Sequence, residues 1–339
     1  MRTSFLIPVY NTELAVLRLC INSVLKAAGD KHEVVIVDDA SDRAETREFL
    51  SRCEASNLEN LKLLRNSENS GVSYSLNKAA ESSTGVLYAP VDHDDMVVSN
   101  GFEQMLFYQT YYGLNWAYSD ELHINYKGIP IGPMYKPEYS PQLLRSLMYI
   151  NHLQLIPNTL FESVGGYREG FEGSQDHDLA LRMSERVSPV HAEAVAYHWR
   201  ILDQTQSRSG ERLSSDSRDR SQLALEEHFE RRGLVARSEP ALFERRGSGQ
   251  AEHIGGNRAR LVPARVPSLS ILVPCKLGTS RIVNGSRRSL LEDCLRSVRA
   301  SLPVPPLSLI HISATTRLGM ISYAVFCLKK KRGGGGGGG

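Results

Sequence analysis

The feature that most narrows the fold is a rhythm. Short apolar runs stop at polar or acidic clusters and alternate with stretches of helical spacing. Phe5-Leu6-Ile7-Pro8-Val9 stops at Tyr10-Asn11, Val34-Val35-Ile36-Val37 at Asp38-Asp39, and Val86 to Val91 at Asp92-His93-Asp94-Asp95. Short β-branched runs bounded in this way read as strands buried on both faces. Leu14, Leu17, Cys20, Ile21, Val24 and Leu25 recur at helical spacing, Leu61-Lys62-Leu63-Leu64 reads as a further strand, and Gly71 to Ala80 opens a helix. Strand, helix, strand in this order predicts an α/β fold with a mostly parallel central sheet flanked by helices. Ligands of such sheets sit beyond the carboxyl ends of the strands, which is where the acidic clusters fall.

Composition removes several classes. The 339 residues are 41% hydrophobic and 23% charged, as in an ordinary globular chain of about two domains, and the net charge of +2 calls for no nucleic-acid partner. Cys20, Cys53, Cys275, Cys294 and Cys327 are odd in number and form no CxxC pair. That argues against a zinc site or disulfide framework and for a reducing compartment. No apolar run nears the roughly 20 residues of a membrane helix, and the N-terminus lacks the apolar core of a signal peptide. The Gly-rich dinucleotide fingerprint and the P-loop are both absent after the first strand, which argues against a dinucleotide dehydrogenase and a P-loop enzyme.

Along the chain, residues 204–265 are rich in Arg, Ser and Glu and read as a helical linker or solvated layer, with one helical stretch around Leu223 to Phe229. A repeat follows. Ser4 to Val9 returns as Ser270 to Cys275, and Leu17, Cys20, Ser23 and Val24 return as Leu291, Cys294, Ser297 and Val298 at the same spacing. The reading is therefore a first domain over 1–203, the linker segment over 204–265, and the truncated start of a second copy over 266–306. Residues 307–339 end in Lys329-Lys330-Lys331-Arg332 followed by glycines, and read as a translated non-native tail. An A-run switching to a G-run passes through an arginine codon, which accounts for Arg332. Met1 lies almost on the first strand, so an N-terminal extension is expected to be missing.

The cluster at Asp92 to Asp95 admits two readings. An Asp-x-Asp at a strand end can offer oxygen ligands to Mg²⁺ or Mn²⁺, hard ions that also bind phosphate. The same residues can form a solvated turn, with Asp95 or Ser99 capping the next helix.

The ordered set of motifs resembles the family 2 glycosyltransferases of GT-A fold. It comprises Ile7 to Asn11, Val37 to Ser41, Asn69-Ser70-Gly71 with Asn77, Asp92 to Asp95, Tyr118 to Glu121, Tyr135 to Pro141, Gly165 to Arg168, Gly173 to Leu179, and Tyr197-His198-Trp199-Arg200. The likeness is to bacterial enzymes of O-antigen and capsule synthesis, many with tandem transferase domains. It implies a GT-A, nucleotide-diphospho-sugar transferase fold. Pro8, Tyr10, Glu13 and Asn77 would bind the nucleotide sugar, and Asp38 and Asp39 would contact base or ribose. Asp92 and Asp94 would form the metal-binding pair, with Asp95 assisting or capping and His198 as a further ligand. Trp199 and Arg200 would lie near the acceptor or diphosphate, and Asp176 would be the catalytic base.

The implied reaction is inverting transfer of a sugar from a nucleotide-sugar donor to a glycan or lipid-linked acceptor, with Mg²⁺ or Mn²⁺ as cofactor. It would take place in the cytoplasm or peripherally on the inner-membrane face. The alternatives are a non-catalytic glycan-binding or scaffold fragment of a tandem transferase, and a sugar nucleotidyltransferase. Single residues keep bland rivals: Asp176 as an N-cap, Asp178 as a surface or substrate-contact carboxylate, and His152 as a packing residue. His93 and His177 read as spacers. His198 and Trp199 also read as core, and Arg200 as half of a surface ion pair. Gln175 and Leu122 stand where related enzymes tend to have acids.

Overall fold

A computed structural model describes residues 1–201, 215–244, 251–262, 280–283 and 285–301. The rhythm of the first ninety-odd residues appears as β1 (Thr3–Val9), α1 (Leu14–Ala28), β2 (Glu33–Asp38), α2 (Ala44–Ala55), β3 (Leu61–Arg65), α3 (Val72–Glu81) and β4 (Leu87–Pro90). These strands lie in the order β3-β2-β1-β4 and all pair in parallel. Every residue of β1 is buried, because helices cover both faces of the sheet. Its side chains alternate between two cores. Phe5, Ile7 and Val9 pack with Leu17, Ile21 and Val24 of α1, while Leu6 packs with Leu76 and Ala79 of α3.

The next elements are β5 (Met96–Val97), α4 (Ser99–Tyr112), β6 (Ala117–Ile124), β7 (Pro130–Met134), α5 (Pro141–Leu144), β8 (Gln154–Pro157), α6 (Asn158–Ser163), α7 (Gln175–Ser184) and β9 (Val190–Arg200). They extend the sheet as β4-β8-β6-β9-β5, with β7 at the side of β6. Strand direction changes here. β8 runs antiparallel to both β4 and β6, and β9 is parallel to β6. The start of β8 therefore lies at the same edge of the sheet as the end of β4. At α4, a Cβ on Gly101 would fall 2.1 Å from the Val195 carbonyl oxygen, so the helix can rest on β9 only with glycine there.

Beyond β9 come α8 (Ser215–Arg231) and the hairpin of β10 (Ala236–Glu244) and β11 (Ala251–Leu261). Composition reads this stretch as linker or surface layer, but α8 buries Ala224, Leu225 and Phe229 in the core that holds Leu179, Ala180 and Met183 of α7. Several of its polar side chains pair with the neighbouring layer, Glu227 with Arg168, Arg231 with Glu185, and the His228 ring with Glu185 at 2.7 Å. A charge-rich composition hides a one-sided helix of this kind.

The chain divides into two compact units, Met1–Val262 and Pro263–Gly339. In the second, β12 (Ser280–Val283) pairs antiparallel with β13 (Ser286–Ser289), and α9 (Leu290–Ser301) carries the Leu291, Cys294, Ser297 and Val298 of the repeat. Ser270 to Cys275 and the whole tail from 307 lie outside the described residues. Among the described residues, no helix is long and apolar enough to cross a membrane.

Candidate active site

The acidic loop after β4 is held from two sides. Asp95 is buried, its backbone N–H donates to the Asp92 carbonyl at 3.2 Å, and its Oδ1 accepts from the Arg200 backbone N–H at 2.7 Å. The buried Arg200 side chain donates from Nε to the Asp94 carbonyl at 2.7 Å and from Nη1 to the Tyr126 carbonyl at 2.9 Å. Tyr126, in the β6–β7 turn, donates its hydroxyl to Glu13 at the start of α1. The segments following β1, β4 and β6 thus meet at one end of the sheet. Burial, and then the charge of Asp92, push the carboxyl groups of Asp94 and Asp95 above their ordinary range, Asp95 strongly. Asp95 Oδ2 is buried without a hydrogen-bond partner among the described residues.

Beside this loop lies a pocket with a floor of Leu76, Pro90 and Val91 and a polar wall of Asp92, Asn151, His152, Gln154, Gln175 and Asp176. Asp92 arrives from the end of β4, His152 from the start of β8, and Asp176 from the first turn of α7. The His152 ring stacks on Tyr197 with centroids 4.9 Å apart, and its Nε2 lies 3.3 Å from Asp92 Oδ2. Beneath it, Glu121 Oε2 accepts from the His152 backbone N–H at 2.9 Å, and Lys136 Nζ donates to the His152 carbonyl at 2.8 Å. Glu121 and Lys136 are themselves a buried ion pair at 2.9 Å.

These neighbours set the protonation states. Burial works to lower the His152 pKa, but the hydrogen bond and charge of Asp92 outweigh it and raise it to about 9. Burial raises the Asp92 carboxyl, and the same contact with His152 more than reverses that, leaving it lowered. Asp176 is raised to about 6 by burial and then by Asp92, against the pull of His152, Asn151 and Tyr167. The pocket therefore sets an ion pair next to a carboxyl that exchanges its proton near neutrality, which suits acid–base chemistry.

Residues 4–155 match the family model for Glycosyl transferase family 2. Over these residues the chain is similar to the family 2 glycosyltransferases. The match ends before α7, so Asp176 is reached only by following the fold past it. The chain is 28% identical over 313 residues to the O-antigen biosynthesis protein RfbC of Myxococcus xanthus, covering 91% of this chain and 23% of that protein. It is 26% identical over 204 residues to the chondroitin synthase of Pasteurella multocida, covering 59% of this chain and 20% of that one. The chain therefore spans a quarter or less of either relative. A structure of S. aureus TarS 1-349 in complex with UDP-GlcNAc superposes with a TM-score of 0.51 at 20% identity, over 66% of this chain and 65% of that one, and supports the GT-A fold.

Several residues expected from the glycosyltransferase resemblance gather at this end of the sheet: Asp92 and Asp176 in the pocket, Asp94, Asp95 and Arg200 at the loop, and Glu13 through Tyr126. Pro8 is buried in β1 beyond Leu6, the last β1 residue paired with β4, and Tyr10 is exposed just after the strand. Other residues are engaged structurally. Asp39 is buried, with Oδ1 accepting from Asn66 Nδ2 at 2.6 Å and the Ser70 N–H at 2.8 Å, and Oδ2 from the Gly71 N–H at 2.9 Å. Gly71 has φ +89°, a conformation open to glycine, and so can aim that N–H as it starts α3. Asp38 accepts from the Ser41 N–H at 3.0 Å.

Corrections follow for the rest. Asn77 does not face the pocket, because both ends of its amide bond the Tyr167 backbone, at 2.8 and 2.9 Å. His198 is not brought to the carboxylates. Tyr197 and Trp199 both turn toward His152, so strand alternation sends His198 to the other face, where Arg200 is the charge it feels. Trp199 is half-buried, edge-on to His123 with centroids 5.1 Å apart, and Arg200 is buried and bonds carbonyls, with no ion pair among the described residues. Asp178 is fully buried between Arg168 and Arg182, neither on the surface nor in the pocket. His177 is no spacer, since it bonds Ser221 and the Leu144 carbonyl. The α7 N-cap is Ser174, so Asp176 lies within the first turn rather than at the cap, and the α4 cap position is Val98, neither Asp95 nor Ser99.

The sequence alone reads His152 as a packing residue and gives no separate role to Asn151, or to Tyr197, Glu121 and Lys136 within their motifs. The available signal was polar Asn151-His152 directly before an apolar strand. It becomes informative only once that strand is known to run antiparallel to β4.

Proposed function

We propose that this chain is an inverting, cation-assisted glycosyltransferase of cell-surface polysaccharide synthesis, such as lipopolysaccharide or capsule. It moves a sugar from a nucleotide-sugar donor to a hydroxyl of a glycan or lipid-linked saccharide. The observation that carries this reading is the single pocket shared by Asp92 and Asp176, with the Asp176 carboxyl at about 6. A carboxylate so tuned is available near neutral pH to take the acceptor hydroxyl proton as the new bond forms. A base that comes from α7 rather than from the acidic loop suits attack opposite the departing diphosphate, hence inversion. The names of RfbC and chondroitin synthase support polysaccharide as the product class, and the UDP-GlcNAc in TarS supports a nucleotide-sugar donor. A lipid-linked acceptor implies work at the cytoplasmic face of the inner membrane.

The donor set fits a hard divalent ion taken up together with substrate. Among the described residues no three His, Cys, Asp or Glu side chains converge into a ready cage. An ion such as Mg²⁺ or Mn²⁺ needs only one or two carboxylates when phosphate oxygens and water complete its shell. Asp94, whose carboxylate accepts no hydrogen bond from another described residue and has His93 Nδ1 4.0 Å away, and Asp95, with its Oδ2 unpartnered among the described residues, are the residues to hold it. When bound, such an ion neutralises charge developing on the departing diphosphate. Arg200 keeps the loop in place, and its buried Nη2 has no hydrogen-bond partner among the described residues.

The experiment is donor consumption across a panel of nucleotide sugars with Mn²⁺, for wild type and Asp176→Asn. Wild type consumes at least one donor, and the variant is slower by about 10²- to 10⁴-fold while still binding it. Equal rates in the two proteins, or no binding of any donor by either, would sink the reading.

A further inference from the structure

Side-chain amides are ambiguous, since their oxygen and nitrogen are close in size and only the hydrogen-bond network decides which end points where. An indole N–H is not ambiguous, because it can only donate. Trp116 is fully buried ahead of β6, and its Nε1 donates to Gln154 Oε1 at 2.7 Å. That contact fixes Gln154 with its oxygen toward the indole and its NH₂ away. Gln154, also buried, then donates from Nε2 to Asn151 Oδ1. With its oxygen already receiving a proton, Asn151 has only its own NH₂ to offer the pocket that it lines with Asp176.

The geometry points to a directional relay, Trp116 to Gln154 to Asn151, that obliges Asn151 to donate to the Asp176 carboxylate and makes these three side chains positioning residues for the base. The description of Asp176 as a base rests on the proposed function, whereas the direction of the relay does not. Gln154 is a buried amide, and burying one is costly unless both ends are satisfied. Here both ends are, and the result is a polarity carried from the core to the pocket. Were the chain reversed, Asn151 would turn its carbonyl oxygen on the carboxylate.

The other groups around Asp176 come from different directions. Asp92 at the end of β4 pushes its pKa up, while His152 ahead of β8 and Tyr167 before α7 act downward with Asn151. On its own helix, Gln175 Nε2 donates to Asp176 Oδ2 at 3.1 Å, His177 turns to Ser221 and Leu144, and Asp178 turns to Arg168 and Arg182.

The test is a carboxyl-¹³C NMR titration of the full chain labelled at aspartate, without donor or metal, so that it is independent of turnover. Loss of a signal in Asp176→Asn identifies the resonance. The wild-type midpoint is about 6. Gln154→Leu and Trp116→Phe each raise it by roughly half to one pH unit, and Asn151→Ala raises it at least as far. Adding Gln154→Leu to Asn151→Ala moves it no further, since the relay acts only through Asn151. An unchanged midpoint in Asn151→Ala overturns the proposal, whatever the core variants do to folding. So does an unchanged midpoint in a natively folded Gln154→Leu or Trp116→Phe, or an additive shift in the double variant. Absence of donor turnover alongside the expected shifts would instead count against the proposed reaction and leave the relay intact.

Discussion

Asp176 and Asp178 occupy the same first turn of α7, two residues apart, and their surroundings treat them oppositely. Asp176 faces a pocket it shares with another carboxylate, and burial and Asp92 hold its proton on up to about 6. For Asp178, burial raises the carboxyl, but the hydrogen bonds and charges of Arg168 and Arg182 more than compensate and lower it. The helix dipole favours both anions alike, so it cannot be what separates them. Partners separate them: one carboxylate lies beside a cavity with another negative charge near it and no arginine paired with it among the described residues, and its neighbour is locked into the scaffold. The lesson is that an acidic pair in a motif divides its labour by what packs against each member.

The sharpest attempt to break this contrast is to neutralise each in turn. Asp178→Asn leaves two arginines short of a buried counter-charge and lowers unfolding free energy by about 3–5 kcal/mol at pH 7, read by urea denaturation. A cost like that of an ordinary surface aspartate would show that the cluster is ornamental. Asp176→Asn does the reverse. Because its folded pKa lies above the ordinary 3.8, the wild-type residue costs stability as pH rises from about 4 to 6 and the buried group must ionise. The variant is therefore more stable than wild type at pH 7 by about 1–3 kcal/mol, and the gain vanishes below about pH 4. A uniform gain across pH, or a loss at pH 7, would contradict the assigned surroundings. Smallest is Glu227→Gln on α8, which removes the outer partner of Arg168 and costs about 0.5–1 kcal/mol, since Glu227 is 31% exposed. A larger loss would show the network to act as one unit.

The parallel part of the fold was legible because β1, β2 and β4 are uninterrupted apolar runs, the signature of strands covered on both faces. α2 was missed: it buries only Thr46 and Leu50, too little to make a stripe. The Asp92 and Asp176 motifs were readable from residue order. His152 was not, since its role depends on the reversed direction of β8, and no local pattern announces which way a strand runs. α8 was underread because its three buried apolar residues are diluted among Arg, Ser and Glu whose partners lie on and around α7, distant in sequence.

The clasp between α7 and α8 has a practical corollary. Ser221 meets His177, Ser217 bonds the Gly173 carbonyl, and Glu227 reaches Arg168, so the turn bearing Asp176 is braced by residues more than forty positions downstream. A chimera joined anywhere from 201 to 214 would carry the α7 turn of one protein without its brace. Shuffling experiments that exchange whole catalytic units should make their crossover after Val262, where the first compact unit ends.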